Sequence, residues 1–188
     1  MNILISQRED LLGHAKFLHS ALESSWYYWL TPLGHKLLPA PNILEFHPYY
    51  DDWDCLILTG GPDSMNRNRV ENTLFAETVK RGKPVIGICH GAHAINDLTR
   101  GEFAYLDSHH DCNHEIIYED TGERVTVNSF HRQSIKSVGS RMQVIARDSE
   151  GYIEAFRHDE LPIYGMVWHP ERMDNHYVIP EVAAILNS

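Results

Sequence analysis

The stretch GICHGAH, Gly87 to His93, holds the densest reactive chemistry in the chain. One cysteine sits between two glycines, with histidines one and four residues later. Three chemistries are open to it. A zinc site would take Cys89, His90 and His93 as ligands, since zinc sites pair Cys and His at short spacing. Neighbouring residues do not face one another on a helix, however, so Cys89 and His90 converge poorly. A buried packing thiol is the ordinary state of a free cysteine, and it suits Cys55, inside an apolar run. It does not account for Gly87 and Gly91 placed two residues either side of Cys89. Those glycines suit a nucleophile: G-x-C-x-G matches a sharp strand-to-helix turn that has no room for side chains at the flanking positions. The N-terminus of the following helix would favour the thiolate.

A nucleophile needs a base with an orienting group. WHPE, Trp168 to Glu171, supplies both. His169 and Glu171 lie two apart, on one side of an extended chain. A competing base is His131, with Asn128 three residues before it. That spacing suits substrate binding better than orienting an imidazole. Acyl transfer also requires donors for a developing oxyanion, and the backbone N–H groups of His90 and Gly61 are the candidates. A second histidine-rich segment, DSHHDCNHE, carries His109, His110, Cys112 and His114, and it reads as a solvated polar loop before a strand. The predicted chemistry uses no metal and no cofactor.

These residues must be brought together by the elements around them. NILIS (2–6), HKLLPAP (35–41), WDCLILT (53–59) and PVIGIC (84–89) read as strands. The near-continuous apolar runs among them suit a parallel sheet covered on both faces. Leu11, Ala15, Leu18 and Leu22 recur at helical spacing and predict a helix. Leu74, Phe75, Thr78 and Val79 predict another, closed by Gly82, and HGAHAINDL begins a third. Beyond residue 114 the pattern changes to a hairpin turning at Thr121-Gly122, then strands at 142–148, 151–158 and 163–169, and a helix from about Pro180. The expected fold is therefore α/β with a mainly parallel central sheet and added antiparallel strands in the C-terminal half. Gly60-Gly61, Cys89 and His169 all fall at strand ends, where open α/β sheets bind ligands.

The chain has 188 residues, 43% hydrophobic and 22% charged, ordinary values for one globular domain spanning 1–188. Its net charge of −10 disfavours nucleic acid and anionic membranes as partners. Three cysteines at unrelated spacings are no disulfide framework. With no signal peptide or membrane span, a cytoplasmic protein is expected.

Taken together, LILTGGPDS (56–64), KPVIGICHGAH (83–93), VNSFHRQSI (127–135) and IYGMVWHPE (163–171) resemble the class I glutamine amidotransferase-like superfamily, in order and spacing. The resemblance implies a flavodoxin-like three-layer α/β/α fold and a Cys89–His169–Glu171 triad that cleaves a γ-glutamyl amide through a thioester. VNSFHRQSI looks most like the γ-glutamyl hydrolase (peptidase C26-like) branch. There the segment lies over the glutamyl group, which implies substrate contacts for Ser129, Phe130 and His131, and for Gly60 at the neighbouring strand end. The family's G-x-C-x-G-x-Q motif departs here, with His93 in place of the glutamine that helps hold substrate. ISQRED, SSWYYW and IEAFRH are similar to a hydrolase of γ-glutamyl nucleotide amidates, a substrate that would need a basic grip. Arg67 and Arg69 in NRNR could form one, or simply solvate a loop. SWYYW could stack on a base, or pack a core. An amidotransferase subunit passing ammonia to a separate synthase is the other functional class.

Overall fold

The computed structural model describes residues 1–12, 17–45, 52–105 and 110–188. Five parallel strands form the centre of its main sheet, in the order β4 (Lys36–Ala40), β1 (Asn2–Ser6), β5 (Cys55–Leu58), β6 (Val85–Ile88) and β13 (Ile163–Met166). Antiparallel strands β12 (Ile153–His158), β11 (Met142–Asp148), β8 (His110–Tyr118) and β9 (Arg124–Phe130) extend it beyond β13. Strand β10 (Gln133–Ser137) joins β12 to β7 (Glu102–Tyr105). The fold is α/β with a mixed sheet, as expected.

Period-two alternation sends side chains to opposite faces. Ile3, Ile5, Cys55, Ile57, Ile86 and Ile88 pack on one face with Trp26, Trp29 and Leu30 of α1 (Ser24–Leu30) and with Val182 and Leu186 of α4 (Pro180–Leu186). Leu4, Leu56, Leu58 and Val85 pack on the other with Val70 and Leu74 of α2 (Met65–Lys80) and Ala92 and Ile95 of α3 (His90–Leu98). Both faces of the parallel strands are thus covered, which is why they read as unbroken apolar runs.

The predicted helix over Leu11, Leu18 and Leu22 is corrected. The chain instead forms a hairpin, β2 (Arg8–Leu12) with β3 (Phe17–Ala21), pairing Leu11 with Leu18 and Leu12 with Phe17; Ala15 lies outside the described residues. Leu11, Leu12, Phe17 and Leu18 are each at least half exposed, so no core rewards a helical apolar stripe. The first helix comes later, at SSWYYWL. Its Trp26 and Trp29 are core, while Tyr28 is exposed. The polar segment before the hairpin is also corrected in part, since β8 already begins at His110; His109 lies outside the described residues. No helix among the described residues is long and apolar enough to cross a membrane.

Candidate active site

Three neighbouring strand ends carry the candidate residues. Leu58 is in register with Gly87, and Ile88 with Met166. The loops that follow β5, β6 and β13 therefore start side by side, and they bear Gly60-Gly61, Cys89 and His169. Cys89 has φ +50° and ψ −105°, a backbone state L-residues rarely adopt and one that costs on the order of 1–3 kcal/mol. The turn is locked by Cys89 N–H donating to Met166 O (2.8 Å) and Gly91 N–H to Thr59 O (3.2 Å). The glycines have steric reasons. A Cβ on Gly87 would lie 2.6 Å from the Gly91 carbonyl oxygen, and one on Gly91 would lie 2.1 Å from that of Leu58.

His169 Nδ1 lies 2.6 Å from Glu171 Oε1, and both residues are buried. Burial opposes the charged ring, but Cys89 and then Glu171 more than offset it and raise the His169 pKa to about 9. An imidazolium at neutral pH is the state that sits beside a thiolate. The ring is boxed in on other sides. Phe130 meets it edge-on at 5.5 Å, and a Cβ on Gly60 would come within 2.4 Å of its Cε1.

Asn128 holds the backbone beneath. Its Oδ1 accepts from His169 N–H (2.8 Å) and its Nδ2 donates to His169 O (2.9 Å). Sequence spacing pairs Asn128 with His131 and carries no signal of this clamp. His131 is 3.5 Å from Glu154, which also faces His114 at 3.5 Å. Burial opposes the charge of Glu154, yet the two imidazoles hold its pKa down to about 2. His131 is therefore engaged by Glu154.

His93, one helical turn after Cys89, borders a cavity of about 310 Å³ together with His90, Asp63, Asn68, Phe103 and Gln133. Burial, then His131 and His90, lower its pKa to about 3, so it is a neutral ring at physiological pH. Ser129 is fully buried, whereas Phe130 is partly open to solvent.

The structure gives Arg67 a different role from the one expected. It is completely buried, and its guanidinium is spent on Glu71 (2.8 Å), Gly60 O (3.2 Å), Pro62 O (3.2 Å) and Thr59. No face of it is left for a diphosphate. Arg69, two residues along the helix, diverges from Arg67 and borders a separate surface cavity with Asn42 and Glu45. The arginines at the site's edge are Arg8, whose Cβ would lie 2.9 Å from a Cβ on Gly61, and Arg172, 4.9 Å over the Phe130 ring. Both reach Glu23. Among the described residues, no three His, Cys, Asp or Glu side chains are grouped to hold a metal ion.

A cysteine in a strained turn and a carboxylate-backed imidazole thus stand at neighbouring ends of the parallel strands of a mixed sheet. The chain belongs to the class I glutamine amidotransferase family, whose profile it matches over residues 33–177; members are generally glutamine amidohydrolases. A glutamine-hydrolyzing GMP synthase subunit from Methanothermobacter thermautotrophicus is 34% identical over 169 residues, 85% of each chain. The γ-glutamyl-CDP-amidate hydrolase of Campylobacter jejuni is 28% identical over 144 residues, covering 72% of this chain and 70% of that protein. The structure of PurLQS from Thermotoga maritima shares the fold, with a TM-score of 0.68 at 17% identity over 91% of this chain and 88% of that one.

Proposed function

We propose that this protein is a γ-glutamyl amide hydrolase with a Cys89–His169–Glu171 triad. The observation that carries it is Cys89 in its strained turn at the end of β6, with the buried, hydrogen-bonded His169–Glu171 pair at the neighbouring end of β13. Cys89 as thiolate attacks the γ-carbonyl carbon, forming the C–S bond and pushing the carbonyl electrons onto oxygen. The N–H groups of Gly61 and His90 receive that oxyanion. As it collapses, the C–N bond breaks and His169 gives its proton to the leaving nitrogen. His169 then takes a proton from water, which attacks the γ-glutamyl thioester. Glutamate leaves and the thiolate–imidazolium pair is restored. Glu171 orients the ring throughout and touches no substrate.

The glutamyl group lies over Gly60, Ser129, Phe130 and His131, with its amino-acid end toward His93. Because His93 is neutral, it meets substrate by hydrogen bonding and not by charge. The favoured substrate is γ-glutamyl-CDP-amidate, releasing cytidine diphosphoramidate for surface polysaccharide modification. The Campylobacter relative supports it. With Arg67 buried, a diphosphate would be met from Arg8 and Arg172.

A second reading has its own support in the GMP synthase relatives: a glutaminase that supplies ammonia to a separate synthase. A γ-glutamyl-γ-aminobutyrate-type hydrolase is the third member of the comparison. One experiment separates them. Glutamine, γ-glutamyl-γ-aminobutyrate and a γ-glutamyl nucleotide amidate are ranked by kcat/KM. The amidate is expected to lead. Glutaminase activity that rises on adding a synthase would favour the ammonia-supplying role. Cys89→Ala is expected to abolish all hydrolysis with an unchanged melting temperature, and turnover in that variant would sink the mechanism.

A further inference from the structure

We propose that Glu71 is a positioning residue for acyl transfer: one buried carboxylate fixes the direction of both backbone N–H groups that receive the oxyanion. The inference rests on the acyl-transfer reading above and adds a residue that no motif in that reading contains.

Glu71 lies on α2 and is 1% exposed, and it does not line the cavity that His90 and His93 border. Its Oε1 accepts from Arg67 Nε (2.8 Å) and from Ser6 Oγ (2.7 Å). Its Oε2 faces His90 Nε2 at 3.2 Å. The carboxylate therefore has one arm to each oxyanion segment.

The first arm runs through Arg67 to the loop after β5. Arg67 donates to the carbonyls of Thr59, Gly60 and Pro62. The Gly60 carbonyl and the Gly61 N–H belong to one planar trans peptide and point in opposite directions. Holding Gly60 O on the helix side thus turns Gly61 N–H toward the site. Ser6 reinforces the same loop, accepting from Thr59 N–H (3.0 Å) while it donates to Glu71. The second arm reaches α3. His90 opens that helix, so its N–H has no intrahelical acceptor. Cys89 O accepts from His93 N–H (3.0 Å), which fixes the plane of the Cys89–His90 peptide. The His90 ring, anchored on Glu71, holds that first residue in place.

Stability alone is a poor reason for this arrangement. Arg67 is 0% exposed and Glu71 1%, and a buried ion pair often adds no more stability than an apolar pair of equal volume. What an apolar pair could not do is hold three loop carbonyls and one imidazole in fixed directions. Burial opposes the charge of Glu71, but Arg67 and then His90 outweigh it and keep its pKa below the ordinary carboxylate value. The anchor stays ionised at neutral pH.

The test compares the intact chain with Glu71→Gln and His90→Ala on two substrates. p-Nitrophenyl acetate reports the oxyanion hole without glutamyl recognition, and γ-glutamyl-p-nitroanilide reports both. Glu71→Gln is expected to lower kcat by roughly 10- to 100-fold on each substrate, less than outright loss of a donor. KM should stay within about threefold, and Cys89 alkylation by iodoacetamide, which forms no oxyanion, should also stay within about threefold. His90→Ala cuts one arm at a mostly covered side chain and should lose several-fold in kcat; it decides the matter if Glu71→Gln does not fold. Unchanged kcat in both variants overturns the proposal. So does alkylation that falls in parallel with kcat, because the carboxylate would then serve the general integrity of the site. A native chain that cleaves the ester and not the anilide refutes the γ-glutamyl reading alone, and the ester series still decides the role of Glu71.

Discussion

Gly60→Ala adds one methyl group, and the structure says where it goes. The new Cβ would stand 2.4 Å from His169 Cε1 and 3.2–3.3 Å from both ring nitrogens. Ordinary contact needs about 3.4 Å or more, so the ring must retreat by about 1 Å. It has little freedom to do so. Glu171 holds Nδ1 at 2.6 Å, Phe130 covers the ring at 5.5 Å, and Asn128 pins the backbone at 2.8 and 2.9 Å. A 1 Å misplacement of a reacting group costs about 100-fold, or ~2.7 kcal/mol of barrier. Overpacking of this kind costs about 1–3 kcal/mol, offset by roughly 0.4–1 kcal/mol from the stiffer unfolded chain. At mid-range the net loss is about 1.3 kcal/mol, so the melting temperature should fall by about 3–5 °C. Turnover of a γ-glutamyl anilide and thermal unfolding measure the two quantities on one preparation. The expected pattern is a large loss of kcat with a small loss of stability. Activity within threefold of the native chain would show that His169 is not held where the reaction needs it.

Glu171→Gln should move the alkaline limb of kcat/KM, expected near pH 9 where the His169 imidazolium is lost, down by about one unit, since a neutral hydrogen bond replaces a charge-assisted one. A profile that keeps its position denies Glu171 a hold on the ring. Asn128→Ala strips both backbone partners from His169 and should cost about 2–3 kcal/mol, seen as a melting temperature lower by on the order of 5–10 °C; an unchanged melt refutes the clamp. Glu154→Gln tests the buried carboxylate between His114 and His131. Its depressed pKa contributes stability that is present above about 4.5 and lost as pH falls through about 2. The raised pKa of His114, which burial opposes and Glu154 more than restores, contributes stability present below about 6.5 and lost as pH rises through the folded value. The pairing is therefore strongest between those limits, and the variant should lose more melting temperature at pH 5.5 than at pH 9. Equal losses at the two pH values would contradict it.

The residues that sequence reasoning located share one property: local constraint. Gly87 and Gly91 mark the elbow because both positions meet backbone atoms within 2.6 Å of any added Cβ. The parallel strands announced themselves because both of their faces are covered. The failures also have a common cause. Leu11 and Leu18 fit a helical period, but they are equally seven apart across a hairpin, and only the absence of a core beside them decides the outcome. Arg67 looked like a free cation because nothing in NRNR reveals that Glu71, one turn on, shares a buried site with Ser6 of β1 and His90 of α3. Asn128 looked like a companion of His131, three residues away, while its actual partner is the backbone of His169, 41 residues on. For Asn128 a neighbour in sequence competed with a partner brought near by the main sheet, and the sheet won. Local sequence therefore exposes the atoms that react more readily than the atoms that aim them. The proposed nucleophile and base, Cys89 and His169, sit at strand ends with steric signatures of their own, whereas the residues around them are ordinary polar ones whose partners the local sequence does not reveal.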